Sequence, residues 1–177
     1  MKTENIKQIL TGSIKESTII RMQYADNYYK ITGMPIKISD ELVLIALINN
    51  LKFDGYIILS IAGIKSINYS ESEKFIEHIM ENEGNKNISK SEINIDGWYS
   101  SLSSIESLES IITLTIQSDG KNYFVGQVCS VDSDKVVLKE IDTCGSWGEH
   151  VTISINDIEE VELSNYYLDM LKKYQSQ

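Results

Sequence analysis

Residues 110–164 read SIITLTIQSDGKNYFVGQVCSVDSDKVVLKEIDTCGSWGEHVTISINDIEEVELS, and residues 17–70 read STIIRMQYADNYYKITGMPIKISDELVLIALINNLKFDGYIILSIAGIKSINYS. The two strings carry one pattern. Gly33 lies opposite Gly126, Ile36 opposite Cys129 and Ile38 opposite Val131 without a gap. One extra residue then enters the second string, after which Asp40 matches Asp134, Leu42-Val43-Leu44 matches Val136-Val137-Leu138, Leu47 matches Ile141 and Phe53 matches Trp147. Ile57, Leu59 and Ile61 correspond to Val151, Ile153 and Ile155, and Ser70 to Ser164. A single one-residue shift over about fifty positions marks an internal repeat, spanning residues 17–84 and 110–175.

Each copy reads as five short strands with a helix at each end, a mainly β (α+β) fold. Ile111 to Gln117 alternates apolar and polar residues, Ser118-Asp119-Gly120 is a turn, and Lys121 to Val131 is a longer strand containing Gly126. A glycine inside a strand marks a sharp bend, which lets one strand serve both halves of a curved sheet. Further strands are expected over Lys135 to Ile141, Val151 to Ile155 and Ile158 to Leu163. The first copy repeats the order, with turns at Ala25 to Asn27, Ser39-Asp40, Asn49 to Gly55 and Ala62-Gly63.

Helix signals frame the strands. Ser70 and Glu73 form a capping box, Phe75, Ile76 and Ile79 a stripe, and Gly84 a stop. A last helix is expected from Ser164, carrying Tyr167, Leu168, Leu171 and Tyr174, with short helices near Ile6 to Leu10 and Ser104 to Leu108. The polar stretch NKNISKSEINIDG reads as a linker, so the expected domains are 1–84 and 98–177, joined by 85–97.

The chain has 177 residues, 42% hydrophobic and 24% charged, with one proline, which places it among soluble globular proteins. Units this small bury little surface, so packing of the copies or oligomerisation is expected to add stability. MKTENIKQIL lacks the apolar run of a signal peptide, and the longest apolar run, Leu42 to Ile48, is too short to cross a bilayer. The expected location is the cytoplasm, with no membrane partner.

Charge divides unevenly. Residues 1–95 carry 11 Lys and Arg against 12 Asp and Glu, a balance of −1; residues 96–177 carry 5 against 14, a balance of −9, which together give the chain's −10. The acidic second copy is steered away from nucleic acid and toward a basic partner, although acidity also serves solubility.

The Asp119-Gly120 turn, the strand holding Gly126, Asp134 ahead of Val136-Val137-Leu138, the Asn156-Asp157 turn and the closing apolar strand together resemble the Sm-like small barrel of the Sm proteins and bacterial Hfq. The resemblance covers most of both copies and implies two tandem five-stranded Sm-like barrels, each followed by a helix. It also implies ring assembly through strand edges and binding of uridine- or adenine-rich RNA on loops facing a pore. The residues for RNA binding depart from that family. Where Sm proteins place Arg-Gly and Hfq places Lys-His, this chain has Ile61-Ala62-Gly63 and Ile155-Asn156-Asp157. The other loop has Ser39-Asp40 and Asp132-Ser133-Asp134, and Arg21 is the only arginine.

No catalytic constellation is visible, so neither an enzyme nor a cofactor is expected. Cys129, Cys144 and His150 lack the spacing that presents two metal ligands from one turn, and Cys129, at the place of Ile36, is expected in the core. His78 reads as a surface residue. Phe53 and Trp147, at matched positions, are either barrel plugs or an exposed platform, and their repetition favours plugs. Tyr28-Tyr29 and Tyr166-Tyr167 are expected along seams, and Trp98 and Tyr99 at contacts between the domains. The two copies can also pair edge to edge within one chain, with free outer edges recruiting further chains.

The resulting expectation is a non-catalytic interaction protein that engages a protein partner or itself. An immunity or inhibitor protein against a basic toxin is one form of it. The alternative is an Sm-like RNA-binding protein that uses the near-neutral first copy.

Overall fold

Ile20, Met22 and Tyr24 are buried while Arg21 and Gln23 between them are half-exposed, the two-residue period of a strand with one face on a core. This strand, β1 (Ile20–Tyr24), belongs to the first of two units, Met1–Ser91 and Glu92–Gln177, in a computed structural model that describes residues 3–25, 30–84, 92–117 and 123–175. The chain is mainly β, with four α-helices among the described residues. The expected turns at residues 118–120 and 26–27, the pair Tyr28-Tyr29 and residues 85–91 of the expected linker lie outside the described residues. Residues 92–97 belong to the second unit, where Ile93 and Ile95 are buried.

The first unit runs α1 (Thr3–Glu16), β1, β2 (Lys30–Ile38), β3 (Leu42–Asn49), β4 (Lys52–Ser60), β5 (Ile64–Asn68) and α2 (Glu71–Asn82). Its antiparallel strands are ordered β5-β1-β2-β3-β4, so the fifth strand returns to lie beside the first. β3 is apolar on both faces and almost wholly buried. From α1, Ile6 and Leu10, one turn apart, insert into a core of Met22, Ile45, Ile57 and Leu59. On α2, Ile76 and Met80 pack on Ile19, Met34 and Ile48. Phe75, expected in the apolar stripe, is 62% exposed instead, because the buried face follows Ile76 to Met80 at a spacing of four.

The second unit runs α3 (Trp98–Ser107), β6 (Ile111–Ile116), β7 (Tyr123–Val131), β8 (Lys135–Ile141), β9 (Trp147–Ser154), β10 (Ile158–Leu163) and α4 (Tyr166–Tyr174). Its strands are ordered β10-β6-β7-β8-β9. In each unit a 3-10 turn, Ile61–Gly63 or Ile155–Asp157, precedes the last strand. α4 is capped by Asn165, whose Oδ1 accepts the Leu168 N–H at 2.9 Å, rather than starting at Ser164 as expected. Ser164 takes φ +56° and turns the chain into the helix.

Strand registers correct the sequence alignment. Gly33 opposes Leu47 and Gly126 opposes Glu140, and a bulge follows at the same place, between Pro35 and Lys37 or between Val128 and Ser130. Val43 then opposes Ile38, and Val136 opposes Val131. Leu47 therefore shares its place with Glu140, not Ile141, and no extra residue precedes β8. The extra residue falls in the β8–β9 loop: Ile48 opposes Phe53 across residues 49–52, whereas Ile141 opposes Trp147 across residues 142–146. Short aliphatic runs align equally well one residue apart, which hid the shift. At Gly33 and Gly126 a Cβ would collide with the carbonyl oxygens of Ala46 and Lys139, so only glycine allows the strands this close. Cys129, expected in the core, is exposed, because the β7 bulge falls at this residue.

Candidate interaction groove

In the second unit, α4 presents two adjacent stripes. Leu168 and Leu171 are buried against Ile111 and Ile141, with Val125 and Trp147 alongside. Tyr167, Met170 and Tyr174 follow at helical spacing next to that stripe, and Tyr167 and Tyr174 are exposed. An aromatic stripe beyond what the core needs leaves apolar surface facing solvent.

The β8–β9 loop forms the opposite wall. Asp142 Oδ1 accepts the N–H groups of Cys144 at 2.8 Å and Ser146 at 2.9 Å, and the Asp142 N–H donates to the Ser146 carbonyl at 3.0 Å. Gly145 takes φ +78°, and a Cβ there would lie 3.3 Å from the Tyr174 carbonyl oxygen. Glycine thus lets the loop approach the end of α4. Between them lies a cleft of about 210 Å³ lined by Thr143, Cys144, Gly145, Tyr167, Met170, Leu171 and Tyr174. A wider depression of about 470 Å³ shares Thr143 and Tyr167 and continues over Thr113, Tyr123, Val125, Glu140, Ile141 and Asp142. The groove is tyrosine-walled, floored by aliphatic residues, and flanked by two carboxylates.

The equivalent place in the first unit is filled. Arg21 opposes Thr32, the residue before Gly33, as Thr113 opposes Val125, the residue before Gly126. The Arg21 guanidinium reaches α2, with Nη2 3.3 Å from the Ser72 hydroxyl and 3.0 Å from Glu73 Oε1. Glu73 is 1% exposed, and its Oε2 accepts the Ser70 N–H at 2.8 Å and the Ser70 hydroxyl at 2.6 Å. Its Oε1 has no aligned hydrogen bond, so the arginine holds it by charge. Burial pushes the Glu73 pKa up, but the Ser70 hydrogen bonds and the Arg21 charge outweigh that and hold it below the usual carboxylate value. Glu77 ties the same helix to the residue just ahead of β1 by accepting the Ile19 N–H at 2.6 Å.

Elsewhere in the acidic unit, the Thr115 hydroxyl donates to Glu160 at 3.0 Å. Burial, together with the charges of Glu162 and Glu159, lifts the Glu160 pKa to about 7 despite that bond.

The aromatic residues singled out in the sequence have separate surroundings. Trp147 is half-buried against the floor of the groove, with the Lys139 ammonium 5.1 Å from its ring centre. Phe53, 37% exposed, stands edge-on to Tyr56 at 5.0 Å in the first unit. Trp98 is half-buried at the start of α3 and Tyr99 is exposed; neither lines the groove. Tyr166 and Tyr167, expected along seams, are both exposed. Among the described residues, no three His, Cys, Asp or Glu side chains gather as a metal site. No described helix is long and apolar enough to cross a membrane. The sequence reading missed the groove itself, although the spacing of Tyr167, Met170 and Tyr174 carried the signal. No protein-family model matches the chain, and no curated protein matches it.

Proposed function

We propose that the chain is a non-catalytic interaction protein built of two Sm-like small barrels, and that the second unit docks a segment of a protein partner in its tyrosine-walled groove. The observation carrying this reading is the groove itself: exposed Tyr123, Tyr167 and Tyr174 around an aliphatic floor, on the unit that holds most of the negative charge. Tyrosine supplies large contact area with little side-chain entropy to lose, which is why it is enriched at the centres of interfaces. The barrel reading is supported by the return of the fifth strand to the first, the obligatory glycine in the second strand and the short 3-10 turn before the last. Exposed Asp132 and Asp134 in one loop and Asp157 in another oppose a phosphate backbone, which favours protein over RNA.

Selection of a random displayed peptide library on the full chain tests this reading, with a Tyr167→Ala/Tyr174→Ala variant as the counter-screen. The reading requires enriched peptides that bind the parent and lose at least about tenfold on the variant. Peptides that bind both proteins equally, or tight binding of uridine-rich RNA at low salt, would overturn it.

A further inference from the structure

We infer that the groove's occupant is an arginine-bearing segment, whose guanidinium lies between Tyr123, Tyr167 and the Asp142 side while a neighbouring aliphatic side chain enters the cleft beside Thr143–Gly145. The inference rests on the docking reading above and names the partner's chemistry. Its first support is internal. At the register place of Thr113, the first unit carries Arg21, whose guanidinium fills the space between strand and helix against Ser72 and Glu73. Counting from the helix caps Ser70 and Asn165, Ser72 and Glu73 correspond to Tyr167 and Leu168. The second unit therefore has neither the guanidinium nor the helix carboxylate at these places.

The second support is chemical. The side chains now bordering that place are aromatic faces and two acids, Glu140 and Asp142, contributed by β8 and its loop. Asp142 uses Oδ1 to hold the loop, which fixes its carboxylate in place. A planar, weakly hydrated guanidinium can stack on tyrosine and bond to a carboxylate together, whereas an ammonium is a compact, strongly hydrated charge. The balance of −9 over residues 96–177 also steers a basic segment to this unit. The cleft of about 210 Å³, with Met170 and Leu171 in its wall, has room for a leucine- or methionine-sized anchor.

The test uses the full chain and a labelled peptide with one central Arg-Leu pair in a glycine-serine context, with twins in which arginine is replaced by citrulline or by lysine. Fluorescence anisotropy at low salt is expected to give binding that weakens at least about tenfold for the citrulline twin and severalfold for the lysine twin. Thr113→Arg, which supplies an internal guanidinium, should block the arginine peptide by about tenfold or more, and Asp142→Asn, which keeps the Oδ1 acceptor that holds the loop, should weaken it severalfold while leaving the citrulline twin unaffected. Equal binding of the arginine and citrulline peptides, or no effect of either substitution in proteins that retain the parent circular dichroism, would overturn the inference. If library selection yields groove-dependent peptides lacking arginine, the inference falls and docking stands; if it yields none that depend on the groove, both fall.

Discussion

The two units share strand order, bulge position and a glycine at the same place in the second strand, yet they hold their last helices by opposite chemistry. α2 is tied to β1 by a buried carboxylate, the only arginine of the chain and a second glutamate on the Ile19 N–H. α4 is tied to β6 and β8 by Leu168 and Leu171. The polar tie fills the space between strand and helix, while the apolar tie is narrow and leaves a groove beside it. A one-residue difference in the neighbouring loop has the same sense. Asn50 and Leu51, both at positive φ, close a tight turn in the first unit, whereas residues 142–146 form a larger loop that walls the cleft. One backbone plan thus holds its last helix in two ways, one that fills the space beside the helix and one that leaves it open.

The contrast is broken most strongly by removing the apolar tie. Leu168 is 1% exposed, and Leu168→Ala should destabilise the chain by about 3 kcal/mol in urea unfolding, with a loss near zero contradicting the packing assigned to α4. Arg21→Ala should follow, at about 2 kcal/mol, because it leaves the Glu73 carboxylate buried beside Ser70 alone. The double change Arg21→Thr/Glu73→Leu, which installs the second unit's pair in the first, should recover more than half of that loss; simple additivity of the two singles would refute the coupling.

The units should also respond to pH in opposite directions. Glu160 has a folded pKa raised from 4.5 to about 7, so its protonated form is favoured by folding. The associated stability is fully present below about pH 4.5 and is lost as pH rises through 7. Glu160→Gln, which keeps an acceptor for Thr115, should therefore stabilise the chain by about 1–2 kcal/mol at pH 8 and by almost nothing at pH 4.5. Glu73 is depressed instead, so its contribution is present above the usual carboxylate range and is lost as pH falls through the lower folded value. Arg21→Ala should accordingly lose its destabilising effect in strong acid, measured by urea midpoints across the pH range. The smallest effect is expected at the cap of α4: Asn165→Ala should remove about 1 kcal/mol, read from the same midpoints.

Much of this was legible in the chain and some was not, for physical reasons. The strand alternation, the two in-strand glycines and the Ser70–Glu73 capping box are local features, set by side-chain period, backbone crowding and a three-residue reach. The register of β3 and β8 depends on which of two equivalent aliphatic alignments meets its neighbour, which only pairing decides. The Arg21–Glu73 tie joins residues distant in sequence and left no local trace. The groove needs α4, β7 and the β8–β9 loop together, so the spacing of Tyr167, Met170 and Tyr174 was legible on α4 but its meeting with Tyr123 was not. Cys129 fell at a bulge, and a bulge inverts the inside–outside assignment that alternation gives.

Amide chemical-shift mapping on the full chain, titrated with a peptide enriched by library selection, tests the central claim most directly. The account requires the largest shifts to fall on Thr113, Tyr123, Val125, Thr143 to Gly145, Tyr167 and Met170, with the first unit's Arg21 and Ser72 unmoved. Shifts spread over the exposed carboxylates, or centred on the first unit, would contradict it.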